Sequence, residues 1–165
     1  TGLALKWSLK KNLVLKAFGR EPFSRHGFIN EKTIDAFWDK ARAEYQIKAS
    51  SGDEQARSLS GGNQQKVILA RELSEHPRVV VANQPTRGLD IGASEYVRQK
   101  LLDARNEGCA VLLVSADLEE ILQLSDRIAV IYDGRLMGVL PRGASVDEIG
   151  SLMMGKQKEA DEHGK

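Results

Sequence analysis

The stretch Leu59-Ser60-Gly61-Gly62-Asn63-Gln64-Gln65-Lys66, continued by Val67-Ile68-Leu69-Ala70-Arg71-Glu72-Leu73, decides how the chain is read. Two adjacent glycines let the backbone turn tightly and approach a ligand with no Cβ in the way. The apolar run behind them is helix-like, which places the glycines at a helix N-terminus. There the unpaired N–H groups and the positive end of the helix dipole favour an anion. Ser60 either adds a hydroxyl donor to that anion or only caps the helix. The stretch alone leaves both roles open.

Downstream, the helix is predicted to stop at Glu75-His76-Pro77, because proline cannot continue it. Val79-Val80-Val81-Ala82 is short, apolar and β-branched, as expected for a strand buried on both faces of a parallel sheet. Asn83-Gln84-Pro85-Thr86-Arg87-Gly88-Leu89-Asp90 follows as a turn. A helix over Ile91 to Asn106 then carries Ala93, Val97, Leu101 and Ala104 inward and ends at Gly108. Cys109 to Val114 reads as a second buried strand, Asp117 as the cap of a helix to Leu124, and Arg127 to Tyr132 as a third strand. Asp133-Gly134 is a hairpin turn returning Leu136 to Leu140 antiparallel. Ser145 and Glu148 form a capping box for a last helix through Ile149, Leu152 and Met153. From Lys156 the tail is charged and expected to be disordered.

Upstream, Ser8 caps a predicted helix through Leu9, Leu13, Val14, Ala17 and Phe18, ended by Gly19. Arg20 to Gly27 is a polar loop. Asn30 caps a longer helix whose Ile34, Phe37, Trp38, Ala41 and Tyr45 share one face, an aromatic stripe of the kind that packs a core. Ser50 to Arg57 is a linker by composition. The expected organisation is a helical piece over 1–58, the signature helix and βα units over 59–143, and a short helix and tail over 144–165. Alternating βα units argue for an α/β layered sheet.

With 165 residues and 41% hydrophobic content, the chain can bury one core. Its net charge of +1 gives no bulk attraction for nucleic acid. The single cysteine, Cys109, excludes an intrachain disulfide and reads as a small core residue. No apolar run approaches the roughly 20 residues that cross a bilayer. The start, Thr1 to Trp7, has neither an initiator Met nor a signal-peptide layout, and reads as a cut inside a longer protein.

Leu59 to Leu73 resembles the signature motif of ATP-binding-cassette ATPases, and the order signature, strand, acidic-pair position, Pro-Thr, turn, Leu-Asp is similar to that family's. The Asn-Gln-Gln-Lys form and the Thr-Arg-Gly-Leu-Asp turn look most like the second cassette of tandem importers of simple sugars and nucleosides. The resemblance runs from about Thr1 to about Leu140. It implies a partial P-loop NTPase core with a mostly parallel sheet, a C-terminal β-hairpin and an N-terminal helical subdomain that docks on membrane subunits. Trp38 and Phe37 are candidates for that contact, against the core role their spacing gives them.

By the same resemblance, Ser60, Gly61, Gly62, Asn63 and Gln64 serve an ATP bound by a partner cassette, with Asn63 where glutamine is more common. Asp90 resembles the aspartate that carries information between the two sites. Asn83 and Gln84 hold the places of the family's Mg²⁺-supporting Asp and its catalytic Glu. A neutral amide loses the charge that binds a hard cation and is far too weak a base for water. Ala116 holds the place of a histidine facing the γ-phosphate. No Gly-x-x-x-x-Gly-Lys-Ser/Thr phosphate loop occurs in the sequence; the resemblance implies that it precedes Thr1, so the chain alone is expected not to hydrolyse ATP.

The implied setting is the cytoplasmic face of a membrane. The partners would be a second cassette, permease subunits and, indirectly, an extracytoplasmic solute-binding protein, with ATP and Mg²⁺ held by the complete dimer. A non-transport cassette ATPase and a non-hydrolytic nucleotide sensor are the alternatives. His26, His76 and His163 read as surface residues.

Overall fold

The computed structural model describes residues 2–156, which divide into two units between Val114 and Ser115. The first holds α1 (Leu9–Leu13), α2 (Glu31–Glu44), α3 (Gly61–Leu73) and α4 (Ile91–Asn106) with the strands β3 (Val79–Asn83) and β4 (Ala110–Val114). A small hairpin, β1 (Ser24–Arg25) with β2 (Phe28–Ile29), and a 3-10 turn at Ala56–Ser58 complete it.

One core joins these elements: Leu9 and Leu13 of α1, Trp38, Ala41 and Tyr45, Val67, Ala70 and Leu73 of α3, and Val97, Leu101 and Ala104 of α4. Residues 2–58 thus pack into the same core as the signature helix. Trp38 is buried, and Gly52 lies against its ring so closely that a Cβ there would stand 2.9 Å from Cδ1. Phe37 is half-buried and meets Phe23 edge-on, with centroids 5.2 Å apart. Lys10 pins α1 to its neighbours, its ammonium lying 2.9 Å from Asp35, 3.0 Å from Asp53 and 3.8 Å from Glu31.

The predicted helix from Ser8 to Phe18 stops at Leu13. Val14 and Ala17, beyond its end, pack with Phe23 and Ile34 in a separate cluster. Within the predicted polar loop, His26 and Gly27 take positive φ (52° and 82°) and close the β1–β2 hairpin. Asn12 is fully buried on α1: its Oδ1 accepts from Ala4 N at 2.8 Å, and its Nδ2 donates to the carbonyls of Ala4 and Ser8, each at 3.0 Å.

The sheet is smaller than expected. Among the described residues the only parallel pairing is β3 with β4, in register from Val79↔Ala110 to Asn83↔Val114. Nor are these strands buried on both faces. Val80, Ala82, Val111 and Leu113 meet the helical core, whereas Val79, Val81, Leu112 and Val114 are exposed at 62%, 64%, 57% and 46%. No described element covers that second face, so an apolar run predicted to be sandwiched has one open side.

The second unit holds α5 (Leu118–Leu124), β5 (Arg127–Tyr132), β6 (Arg135–Pro141) and α6 (Val146–Met153). The expected third strand pairs antiparallel with β6 across the expected hairpin turn at Asp133 and Gly134 (φ 46° and 71°). The capping box is present, Ser145 Oγ accepting from Glu148 N while Glu148 accepts from Ser145 N. Ile128, Val130, Leu140, Ile149 and Leu152 make this unit's own core. The expected disordered tail beyond Lys156, with His163, lies outside the described residues.

Candidate functional site

The signature forms as its residue types dictate. Leu59 and Ser60 are extended, Ser60 is the N-cap, and α3 starts at Gly61. As at any helix start, the first amides have no intrahelical acceptor. Ser60 Oγ accepts from Asn63 Nδ2 at 3.1 Å and from Asn63 N at a long 3.4 Å. Gln64 turns inward instead, its Nε2 donating to Leu59 O at 3.0 Å. Asn63 Oδ1 accepts from the backbone N–H of Lys48 at 2.9 Å.

This cap stands on an open cleft of about 650 Å³ whose walls include Arg42, Lys48, Glu54, Ser58, Ser60 and Asn63. Arg42, Lys48 and Glu54 come from the helical segment, and nothing in their local sequence signals the site. The contact that brings Lys48 to Asn63 spans 15 residues, so no motif records it. Within the rim, the Glu54 carboxyl is held below its ordinary range by the Ser50 hydroxyl and the Ser51 amide. Lys66, one turn into α3, donates to Gln46 O at 3.1 Å and lies 4.4 Å over the Tyr96 ring. Burial, with help from Lys48, pulls its ammonium below the ordinary lysine value.

The two glycines differ in what they face. A Cβ on Gly62 would stand 3.0 Å from Ala93 Cβ of α4, and one on Gly61 would meet only Leu89 Cδ2 at 3.7 Å. The start of α3 is therefore packed against the turn and first residues of α4. In that turn, Asp90 is the N-cap of α4, its Oδ1 accepting from Ala93 N at 2.8 Å. The signature and Asp90 are thus brought together through Ala93.

Asn83 ends β3 on the open face, in line with Val79 and Val81. Gln84 follows in the left-handed region (φ 48°), and its N–H donates to Val114 O at 2.8 Å. Among the described residues no group of three or more His, Cys, Asp or Glu side chains gathers as a metal site. With neutral amides at both positions and Asp90 engaged as a cap, the strand end does not fit a resident Mg²⁺. Ala116 is exposed in the second unit, ahead of the Asp117 cap.

No family model matches the chain. It is 44% identical over 164 residues, 96% of its length, to the guanosine import ATP-binding protein NupO of Bacillus subtilis. It is 43% identical over 155 residues, 93% of its length, to the nucleoside import ATP-binding protein NupA of Lactococcus lactis. The chain belongs to the ATP-binding-cassette family. The chain spans 32% and 31% of those two relatives, about a third of each. In fold it is similar to a dimeric ATP-binding cassette in a post-hydrolysis state with ADP and phosphate, with a TM-score of 0.69 over 87% of this chain and 60% of that one, at 23% identity. A putative metal-chelate type ABC transporter matches 94% of the cassette and 61% of its own chain, with a TM-score of 0.74 at 15% identity. No helix among the described residues is long and apolar enough to cross a membrane.

Proposed function

We propose that this cassette is part of the ATP-binding subunit of an importer of simple sugars or nucleosides, working at the cytoplasmic face of a membrane with permease subunits and, through them, a solute-binding protein. Ser60, Gly61, Gly62 and Asn63 face the phosphates of an ATP held on the phosphate loop of a second cassette. There the helix start offers amide donors and a hydroxyl to an anion. The cassette's own nucleotide position, at Asn83 and Gln84, has neither the charge for a hard cation nor a base for water, so it turns over little or nothing. Asp90, fixed as the cap of α4 beside the signature, links the two positions.

The observation that carries this reading is the pairing, within one unit, of a complete signature cap on an open cleft with a neutral amide pair at the end of β3. The test is ATP hydrolysis by the cassette assembled with its partner cassette. Ser60→Arg is expected to abolish most turnover and Gln84→Ala to leave it nearly unchanged. Equal losses from the two substitutions would remove the asymmetry. The same amide pair also favours a second reading, a cassette that senses nucleotide without hydrolysing it. Capture of permease subunits by the assembled protein separates the transporter from the sensor.

A further inference from the structure

Asn63 occupies the fifth position of the signature, and its side chain is committed on both sides. The amide orientation is fixed by the partner at one end: Lys48 N–H can only donate, so the atom facing it at 2.9 Å is Oδ1. The NH₂ group therefore faces Ser60 Oγ, 3.1 Å away. The Ser60 hydroxyl thus receives its hydrogen bonds from Asn63. Both the amide nitrogen and the more distant backbone N–H approach it as donors. A hydroxyl has one proton and two lone pairs. With the lone pairs turned toward Asn63, the proton is the group left to point into the cleft.

We propose that Asn63 is a positioning residue: the relay from Lys48 N–H through the Asn63 amide to Ser60 Oγ presets the Ser60 hydroxyl as a proton donor aimed at an acceptor-only ligand, a phosphate oxygen. The inference rests on the trans-nucleotide reading above. Successive hydrogen bonds running in one direction polarise each other, which strengthens the last donor. It also removes the need to reorient the hydroxyl when the anion arrives. Lys48 acts through its peptide N–H, so the relay ties the loop after α2 to the signature.

The test measures kcat and KM for ATP in the cassette assembled opposite a phosphate-loop cassette, together with the melting temperature of each variant. Asn63→Asp keeps the acceptor for Lys48 but makes Ser60 donate its proton to the new carboxylate. It is expected to lower kcat by about tenfold or more, the scale of one lost charge-assisted donor, with little change in melting temperature. Asn63→Ala is expected to lower kcat by about threefold, since a freed hydroxyl must reorient. In a Ser60→Ala background, Asn63→Ala is expected to cost nothing further.

An undiminished Asn63→Ala effect in that background would mean that Asn63 only braces the loop, and the inference falls. Full activity in Asn63→Asp overturns it as well. If Ser60→Ala and Ser60→Arg themselves leave turnover unchanged, the trans-nucleotide reading fails first, an outcome separate from the loss of the relay alone.

Discussion

Gly62 and Ala93 stand so close that a Cβ on the glycine would lie 3.0 Å from the Cβ of the alanine. Ala93 Cβ is fixed to the α4 backbone and cannot rotate away. Replacing glycine by alanine inside a helix normally stabilises by up to about 1 kcal/mol. Gly61→Ala is expected to show that gain, because its Cβ meets only a movable Leu89 methyl at 3.7 Å. In Gly62→Ala, overpacking against α4 offsets it by about 1–3 kcal/mol. Denaturant unfolding of the two variants should therefore place Gly62→Ala clearly below Gly61→Ala. Equal midpoints would mean that α3 and α4 separate freely at their N-termini.

Asn12 gives a larger effect. It is fully buried, and its amide satisfies the backbone of the segment before α1 at both Ala4 N and Ala4 O. Asn12→Ala removes the acceptor of the Ala4 N–H and opens a small void, while Ala4 O and Ser8 O keep the Trp7 and Asn12 backbone N–H groups, for an expected loss of about 2 kcal/mol. Thermal unfolding reads this directly, and a loss well under 1 kcal/mol would show that the segment finds other partners.

The Tyr96 phenol donates to Tyr45 O at 2.8 Å, and burial, followed by the Tyr45, Glu44 and Asp103 charges, pushes its pKa up to about 12. The unfolded chain releases that proton near pH 10. The neutral phenol's contribution is therefore complete below about pH 10 and is lost as pH rises through about 12. Ultraviolet titration should find Tyr96 ionising late, with Tyr45, also raised by burial, above its ordinary value, and Tyr96→Phe should remove the latest component and flatten the fall in stability over that window. An ordinary ionisation near pH 10 would contradict the buried hydrogen bond.

The open side of β3–β4 should bind apolar probes. Val81 and Leu112 are register partners on it, 64% and 57% exposed. Val81→Lys with Leu112→Lys is expected to abolish fluorescent-dye binding and any self-association of the isolated chain. Its stability should shift by only about 0.5 kcal/mol per substitution. A large loss of stability would mean that this face is covered in solution.

Local chemistry was readable wherever the cause is local. Ser60, Asn30, Asp117 and the Ser145–Glu148 pair cap the helices they were expected to cap, and Asp133-Gly134 makes its hairpin. What escaped the sequence depends on distant partners. The helix after Ser8 ends at Leu13, and Val14 and Ala17 instead pack with Phe23 and Ile34, partners 6 to 20 residues away in sequence. Nothing in the local sequence marks Asn12, whose partners Ala4 and Ser8 are set by the turn before α1. The sidedness of β3 and β4 is invisible in Val79-Val80-Val81-Ala82, because an apolar run states what a strand tolerates, not which neighbours cover it. At the signature, the motif located Ser60 and Gly62, but Lys48 and Ala93 enter only through the fold.

Gln84 has a left-handed backbone held by its bond to Val114 O. That conformation disfavours glutamine and glutamate alike, since the strain arises at Cβ and the carbonyl and takes no account of the side chain's far end. Exchanging Gln84 for glutamate adds one negative charge and leaves the cost of the turn where it was. Charge at this position is thus a setting independent of architecture: the backbone fixes where the side chain starts, and an amide-to-acid exchange alters only what it carries.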